Sequence, residues 1–120
     1  MKFRQLAIDL GMKEDEFLEL VKLFIETSTS DLSRLQMAID KADVQKAVVA
    51  SHSIKGAAAS LGLQDICGVA KKVEMNAREH ILDGSTAMVR VIQEKLDSIA
   101  ESLDQSKKKV YRPVSGGRRG

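Results

Sequence analysis

No proline interrupts the first 112 residues of this chain, and the single proline is Pro113. A stretch of that length without a helix breaker leaves the apolar spacing to choose the fold. The spacing chooses helix. Phe17, Val21, Phe24, Leu32, Leu35 and Ile39 follow one another at helical intervals, with Ser28 filling the one gap in the stripe. Strand-favouring aromatics are scarce, being limited to Phe3, Phe17, Phe24 and Tyr111. The same scarcity argues against a stacking platform for single-stranded nucleic acid. With 120 residues, 43% of them apolar and 30% charged, the chain has the size and balance of one soluble core. No apolar run approaches the roughly 18 residues of a membrane span, and the N-terminus lacks a signal-peptide pattern. One cysteine, Cys67, excludes an intrachain disulfide and a multi-cysteine zinc site, and it fits a reducing, cytoplasmic setting.

Punctuation residues divide the chain into five helices. A short first helix covers Lys2 to Leu10 and leaves through Gly11. The second starts near Lys13, with Glu14, Asp15 and Glu16 where the helix dipole favours negative charge. The polar run Thr27–Ser30 is a weak helix former and a place for a bend. The third begins with Asp43 as cap and ends near Leu61, before Gly62, and turns Val44, Ala47, Ile54, Ala57, Ala58 and Leu61 inward. The fourth runs from about Asp65 to Asp83-Gly84 with Ile66, Val69, Ala70, Val73 and Ala77 inward. Ser85 then caps a fifth, whose inward residues are Met88, Ile92, Leu96, Ile99 and Leu103. Four long helices on short loops predict an all-α, up-down-up-down four-helix bundle with a short additional N-terminal helix, over residues 1–106. Residues 107–120 carry six positive charges and no acid, leaving a body of 13 basic and 17 acidic residues. This segment is read as a flexible, solubilising basic tail.

The third helix holds the one unusual constellation. At roughly 100° per residue, His52 falls nearly opposite the core-facing side, next to Val48, Lys55, Gly56 and Ala59. A solitary outward histidine is ordinarily a solvated side chain, and a helical glycine can serve close packing. Glycine inside a helix nevertheless costs about 1 kcal/mol relative to alanine. Placed one turn after the histidine, Gly56 clears the surface in front of the imidazole, and Lys55 brings a positive charge over it. An open imidazole, a neighbouring ammonium and a cleared surface suit a small anion carried on the ring.

The run His52-Ser53-Ile54-Lys55-Gly56, followed by Ala57-Ala58-Ala59-Ser60-Leu61-Gly62, resembles the signature of histidine-containing phosphotransfer (HPt) domains. It is similar also to the phosphoacceptor domain of chemotaxis-type histidine kinases. The resemblance extends over roughly residues 10–105 and implies a helical bundle with its histidine on an exposed face. It implies that His52 takes a phosphoryl group on Nε2 from a receiver-domain aspartate or a histidine kinase and passes it to a response regulator. Lys55 would then balance charge, and Gly56 would keep the surface clear. Glu74, 22 positions after His52, would accept a hydrogen bond from Nδ1–H and stabilise positive charge on the ring. Arg78, four residues on, would hold the phosphoryl group, meet the partner's acidic pocket or pair with Glu74. Val48, Val49 and Ala59 would form part of an apolar docking patch. The resemblance implies a phosphocarrier rather than an enzyme, with no cofactor or metal of its own and Mg2+ on the receiver. Its partners would be a receiver domain and a histidine kinase, without nucleic acid or membrane, and the chain would act as a monomer. The alternative is a helical adaptor that binds a receiver domain without carrying phosphate.

Overall fold

Helices α1 (Phe3–Asp9), α2 (Glu14–Asp40), α3 (Val44–Ser60), α4 (Gln64–Arg78) and α5 (Ser85–Val110) follow one another across short turns. The structure is a computed structural model and describes residues 2–110, with side chains through Gln105. The first four helices end in the same backbone device. At the end of α3, the Leu63 N–H donates to the Ala58 carbonyl at 2.9 Å and the Gly62 N–H to the Ala59 carbonyl at 3.1 Å. This pair of reaching-back bonds satisfies two terminal carbonyls and needs a left-handed residue at its centre. Gly62 supplies it with φ +73°. Gly11 does the same after α1, but Ala42 (φ +54°) and His80 (φ +62°) hold that conformation after α2 and α4.

The last case moves a boundary. Helix α4 stops at Arg78 instead of reaching Asp83-Gly84, because Ile81 N–H turns back to the Asn76 carbonyl at 2.8 Å around His80. His80 therefore lies past the helix end as an exposed turn residue. Asp43 caps α3 as expected, its Oδ1 accepting the Lys46 N–H at 3.1 Å. Ser85 does not cap α5: it is the first helical residue, fully buried, and its Oγ has no hydrogen-bond partner among the described residues. No break interrupts α2 at Thr27–Ser30; the Thr27 hydroxyl donates back to the Leu23 carbonyl at 3.1 Å, inside a continuous helix. Helix α5 continues to Val110, so the backbone of residues 107–110, placed in the tail above, is helical. The remainder of the tail, 111–120, lies outside the described residues.

Packing closes the ring. Each of α2 to α5 lies against the next, and α5 returns to α2, while α1 packs on α2. The centre holds Phe17, Val21, Leu35, Ile54, Ile66, Val73, Ile92 and Leu96, all fully buried. Of the inward residues expected on α3, Ala47, Ile54, Ala58 and Leu61 are buried, while Val44 and Ala57 are only half-buried. Ala50 and Ser51 complete the buried face, with the Ser51 hydroxyl donating to the Ala47 carbonyl at 2.7 Å. No described helix is long and apolar enough to cross a membrane.

A left-handed conformation costs a residue with a Cβ roughly 1 kcal/mol or more relative to glycine. Ala42→Gly is therefore expected to raise unfolding stability by about 1 kcal/mol, less what glycine adds to unfolded-chain entropy. Urea unfolding checks this, and a lowered midpoint would contradict the assigned turn.

Candidate functional site

The turn after α3 sends α4 back antiparallel along it, so residues well separated in sequence meet across the pair. Val48, His52, Lys55 and Ala59 share the flank of α3 nearest α4 by their spacing, and Glu74 and Arg78 share the facing flank of α4. Where the two flanks meet, the Glu74 carboxylate is nearly sealed, its side chain 5% exposed. A carboxylate in that position requires compensation. Oε1 lies 2.7 Å from Lys55 Nζ. Oε2 faces three donors: His52 Nδ1 at 3.0 Å, Arg78 Nη2 at 2.7 Å and Arg78 Nε at 3.2 Å.

Burial by itself would raise the Glu74 carboxyl. Hydrogen bonds from Lys55, Arg78 and His52, with the Lys55 charge, outweigh it and lower the group from 4.5 to about 2. At neutral pH Glu74 is thus a carboxylate, which can only accept. The proton in the His52 contact must then sit on Nδ1. In the neutral ring Nε2 carries a lone pair, on a side chain that is 62% exposed. The site is a solvent-facing nucleophilic nitrogen, held in one tautomer by a buried anion that two further cations keep ionised.

The expected residues fall into place unevenly. Val49 and Ala59 are exposed beside His52. Val48 is not: it is half-buried against the core, because its flank of α3 faces α4. Lys55 is tied to Glu74 rather than standing free over the imidazole. Arg78 forms the pair with Glu74 that its four-residue spacing allowed. A Cβ placed on Gly56 would meet nothing within 4 Å, so no neighbouring helix requires a glycine there. Sequence reasoning missed Asp31 of α2, whose Oδ2 accepts the Ser53 hydroxyl at 2.6 Å. Their pairing depends on the α2–α3 packing register, which no local pattern encodes. Among the described residues no group of three or more His, Cys, Asp or Glu is arranged to hold a metal ion.

The sign of the pH dependence follows from the direction of the Glu74 shift. A carboxyl lowered in the folded state adds stability that is complete above its ordinary value of 4.5 and is lost as pH falls toward 2. The full shift corresponds to about 3 kcal/mol, and solvent screening at the more than half-exposed His52 and Arg78 brings the expected effect to about 1–2 kcal/mol. The stability advantage of the wild type over Glu74→Gln should shrink by that amount between about pH 5.5 and pH 2.5. Urea midpoints of both proteins across this range measure it; a constant advantage would contradict the buried-anion assignment.

Comparison with known proteins identifies the family and the fold. The family model described as Hpt domain matches residues 19–105. The crystal structure of histidine-containing phosphotransfer protein B (HptB) from Pseudomonas aeruginosa PAO1 is similar, with a TM-score of 0.78 and 27% sequence identity. That similarity covers 91% of this chain and 94% of the other. The same comparison among curated proteins yields no match. With its family match over most of the bundle, the chain belongs to the Hpt domain family.

Proposed function

We propose that His52 is the residue through which this chain performs phosphotransfer in a phosphorelay, a role supported by its family and its likeness to HptB. The observation that carries the assignment is the 3.0 Å contact between His52 Nδ1 and the Glu74 carboxylate, which leaves Nε2 free and outward. In the reaction, Nε2 attacks the phosphorus of an aspartyl phosphate on a receiver domain. A nitrogen–phosphorus bond forms as the phosphorus–oxygen bond breaks, and the aspartate leaves as a carboxylate. No proton has to move, because Nδ1–H remains on Glu74 throughout. The ring becomes cationic, and the adjacent carboxylate stabilises that charge. Return to a second receiver reverses these bond changes.

Lys55 and Arg78 together exceed the single Glu74 charge by one, so an arriving phosphoryl group meets a net positive surface. The magnesium ion belongs, in this reading, to the receiver, and the chain acts as a monomeric cytoplasmic carrier between a histidine kinase and a response regulator. Val49 and Ala59 form part of the apolar contact around the ring. Catalysis rests on placement of Nε2 in line with the phosphoryl group and on charge balance, the usual requirements of phosphoryl transfer.

His52→Gln is expected to abolish phosphate uptake from a phosphorylated receiver and to leave helicity intact, because the side chain faces solvent. The label on the wild type should be acid-labile and base-stable; acid-labile label retained on the variant would refute the assignment. Gly56→Leu should keep the helix but slow transfer at least ~10-fold, by placing a side chain before the imidazole. Normal transfer kinetics for that variant would show that the cleared surface has no part in docking.

A further inference from the structure

Packing alone holds α3 weakly against rotation. Its buried residues are Ala47, Ala50, Ser51, Ile54 and Ala58, so Ile54 is the one large apolar side chain that it sets fully into the core. Alanine and serine present shallow ridges to neighbouring helices, and shallow ridges give little resistance to a turn about the helix axis. Such a turn matters for a group that must stand in line. Outer side-chain atoms lie about 6 Å from a helix axis, so a rotation of about 10° carries them about 1 Å. A misplacement of about 1 Å can slow a reaction about 100-fold.

Polar contacts hold the two flanks of α3 instead. Toward α4, His52 and Lys55 reach Glu74. Toward α2, the Ser53 hydroxyl donates to Asp31 Oδ2 at 2.6 Å, a short bond of the charge-assisted kind. Consecutive residues point roughly 100° apart around a helix, which sends His52 and Ser53 to opposite flanks. The Asp31 carboxylate is itself aimed: Oδ1 accepts from Arg34 Nη1 at 3.0 Å, and the side chain is only 18% exposed. Among the described residues, the Ser53–Asp31 bond is the one side-chain hydrogen bond or ion pair that joins α2 to α3. The other serine hydroxyls of α3 bond within the helix, Ser51 to the Ala47 carbonyl and Ser60 to the Gly56 carbonyl.

We propose that Ser53 and Asp31 are positioning residues for His52: their bond fixes the rotation of α3 against α2, and with it the place of Nε2 before a docked partner. The proposal rests on the phosphotransfer reading for the reaction in which that place counts. Neither side chain bonds the imidazole; both act through the helix that carries it. A small donor that diffuses to Nε2 responds to the tautomer set by Glu74 and not to the angle of α3. A receiver docked on the bundle offers its phosphoryl group at a fixed point and responds to both.

The test follows phosphorylation of the full chain in single turnover, from saturating phosphorylated receiver domain and from phosphoramidate. Ser53→Ala should lower the saturated rate from the receiver about tenfold, with Kd and the phosphoramidate rate each changed less than about twofold. Asp31→Ala should give a similar loss, and the double variant should be no slower than the slower single one. Ser53→Thr keeps the hydroxyl and should recover most of the rate. Ser60→Ala removes a hydroxyl that bonds only within α3 and should leave the rate as it is. A wild-type saturated rate in Ser53→Ala, a loss confined to Kd, or an equal loss with phosphoramidate would overturn the proposal. Wild-type chain that takes phosphate from neither donor would overturn the phosphotransfer reading instead. Where no receiver serves as donor, methyl relaxation dispersion at Ile54 decides the clamp. Microsecond-to-millisecond exchange present in Ser53→Ala and absent from the wild type supports it, and identical profiles overturn it.

Discussion

A single buried carboxylate organises the functional end of this molecule. Glu74 lies between α3 and α4 with four donor atoms on its two oxygens. An uncompensated charge at such a depth would cost several kcal/mol, so the helices are held to the register that brings His52, Lys55 and Arg78 around it. The same contacts orient the imidazole, select its tautomer and set the local charge. Stability and chemistry therefore draw on one group. In the proposed transfer the anion presents Nε2 with its lone pair and then stabilises the cation that the ring becomes.

The bundle supplies the distances. Gly62 turns the chain sharply after α3, and the small residues Ala57, Ala58 and Ala59 leave the end of that helix slim. Antiparallel return along α4 then brings Glu74 level with His52. On the other flank, Ser53 and Asp31 join α3 to α2. His52 is thus flanked by two inter-helix hydrogen bonds while its own ring faces solvent. Rigid placement on helices, rather than on a loop, suits the role proposed for the ring, which is to stand in line with an incoming phosphorus.

Much of this was legible before any coordinates. The apolar intervals point to the helices and most of the core, His52 and Gly56 stand out by type and spacing, and Glu74 enters through the family resemblance. What escaped was what depends on non-local packing or on rare backbone states. His80 ends α4 in a left-handed conformation that nothing in its identity advertises, so the sequence alone makes the helix too long. Ser85 looks like a cap but is buried as the first helical residue. Val48 reads as outward on the wheel, which alone does not say where the neighbouring helix lies. The spacing alone puts Lys55 over the imidazole, since its reach toward Glu74 becomes visible only when α3 and α4 are set side by side. Asp31 and Arg34 attracted no notice, as an acid and a base three residues apart are ordinary on any helix surface.

The central claim is that Glu74 fixes the His52 proton on Nδ1 and leaves Nε2 as the nucleophile. The most direct measurement is a nitrogen-15 NMR spectrum of the two ring nitrogens of His52, taken where the ring is neutral, in wild type and Glu74→Gln. The account predicts a protonated Nδ1 and a lone-pair Nε2 in the wild type, with that preference lost in the variant. A wild-type ring protonated on Nε2 would contradict it, because the nitrogen assigned to attack the phosphoryl group would have no lone pair to offer.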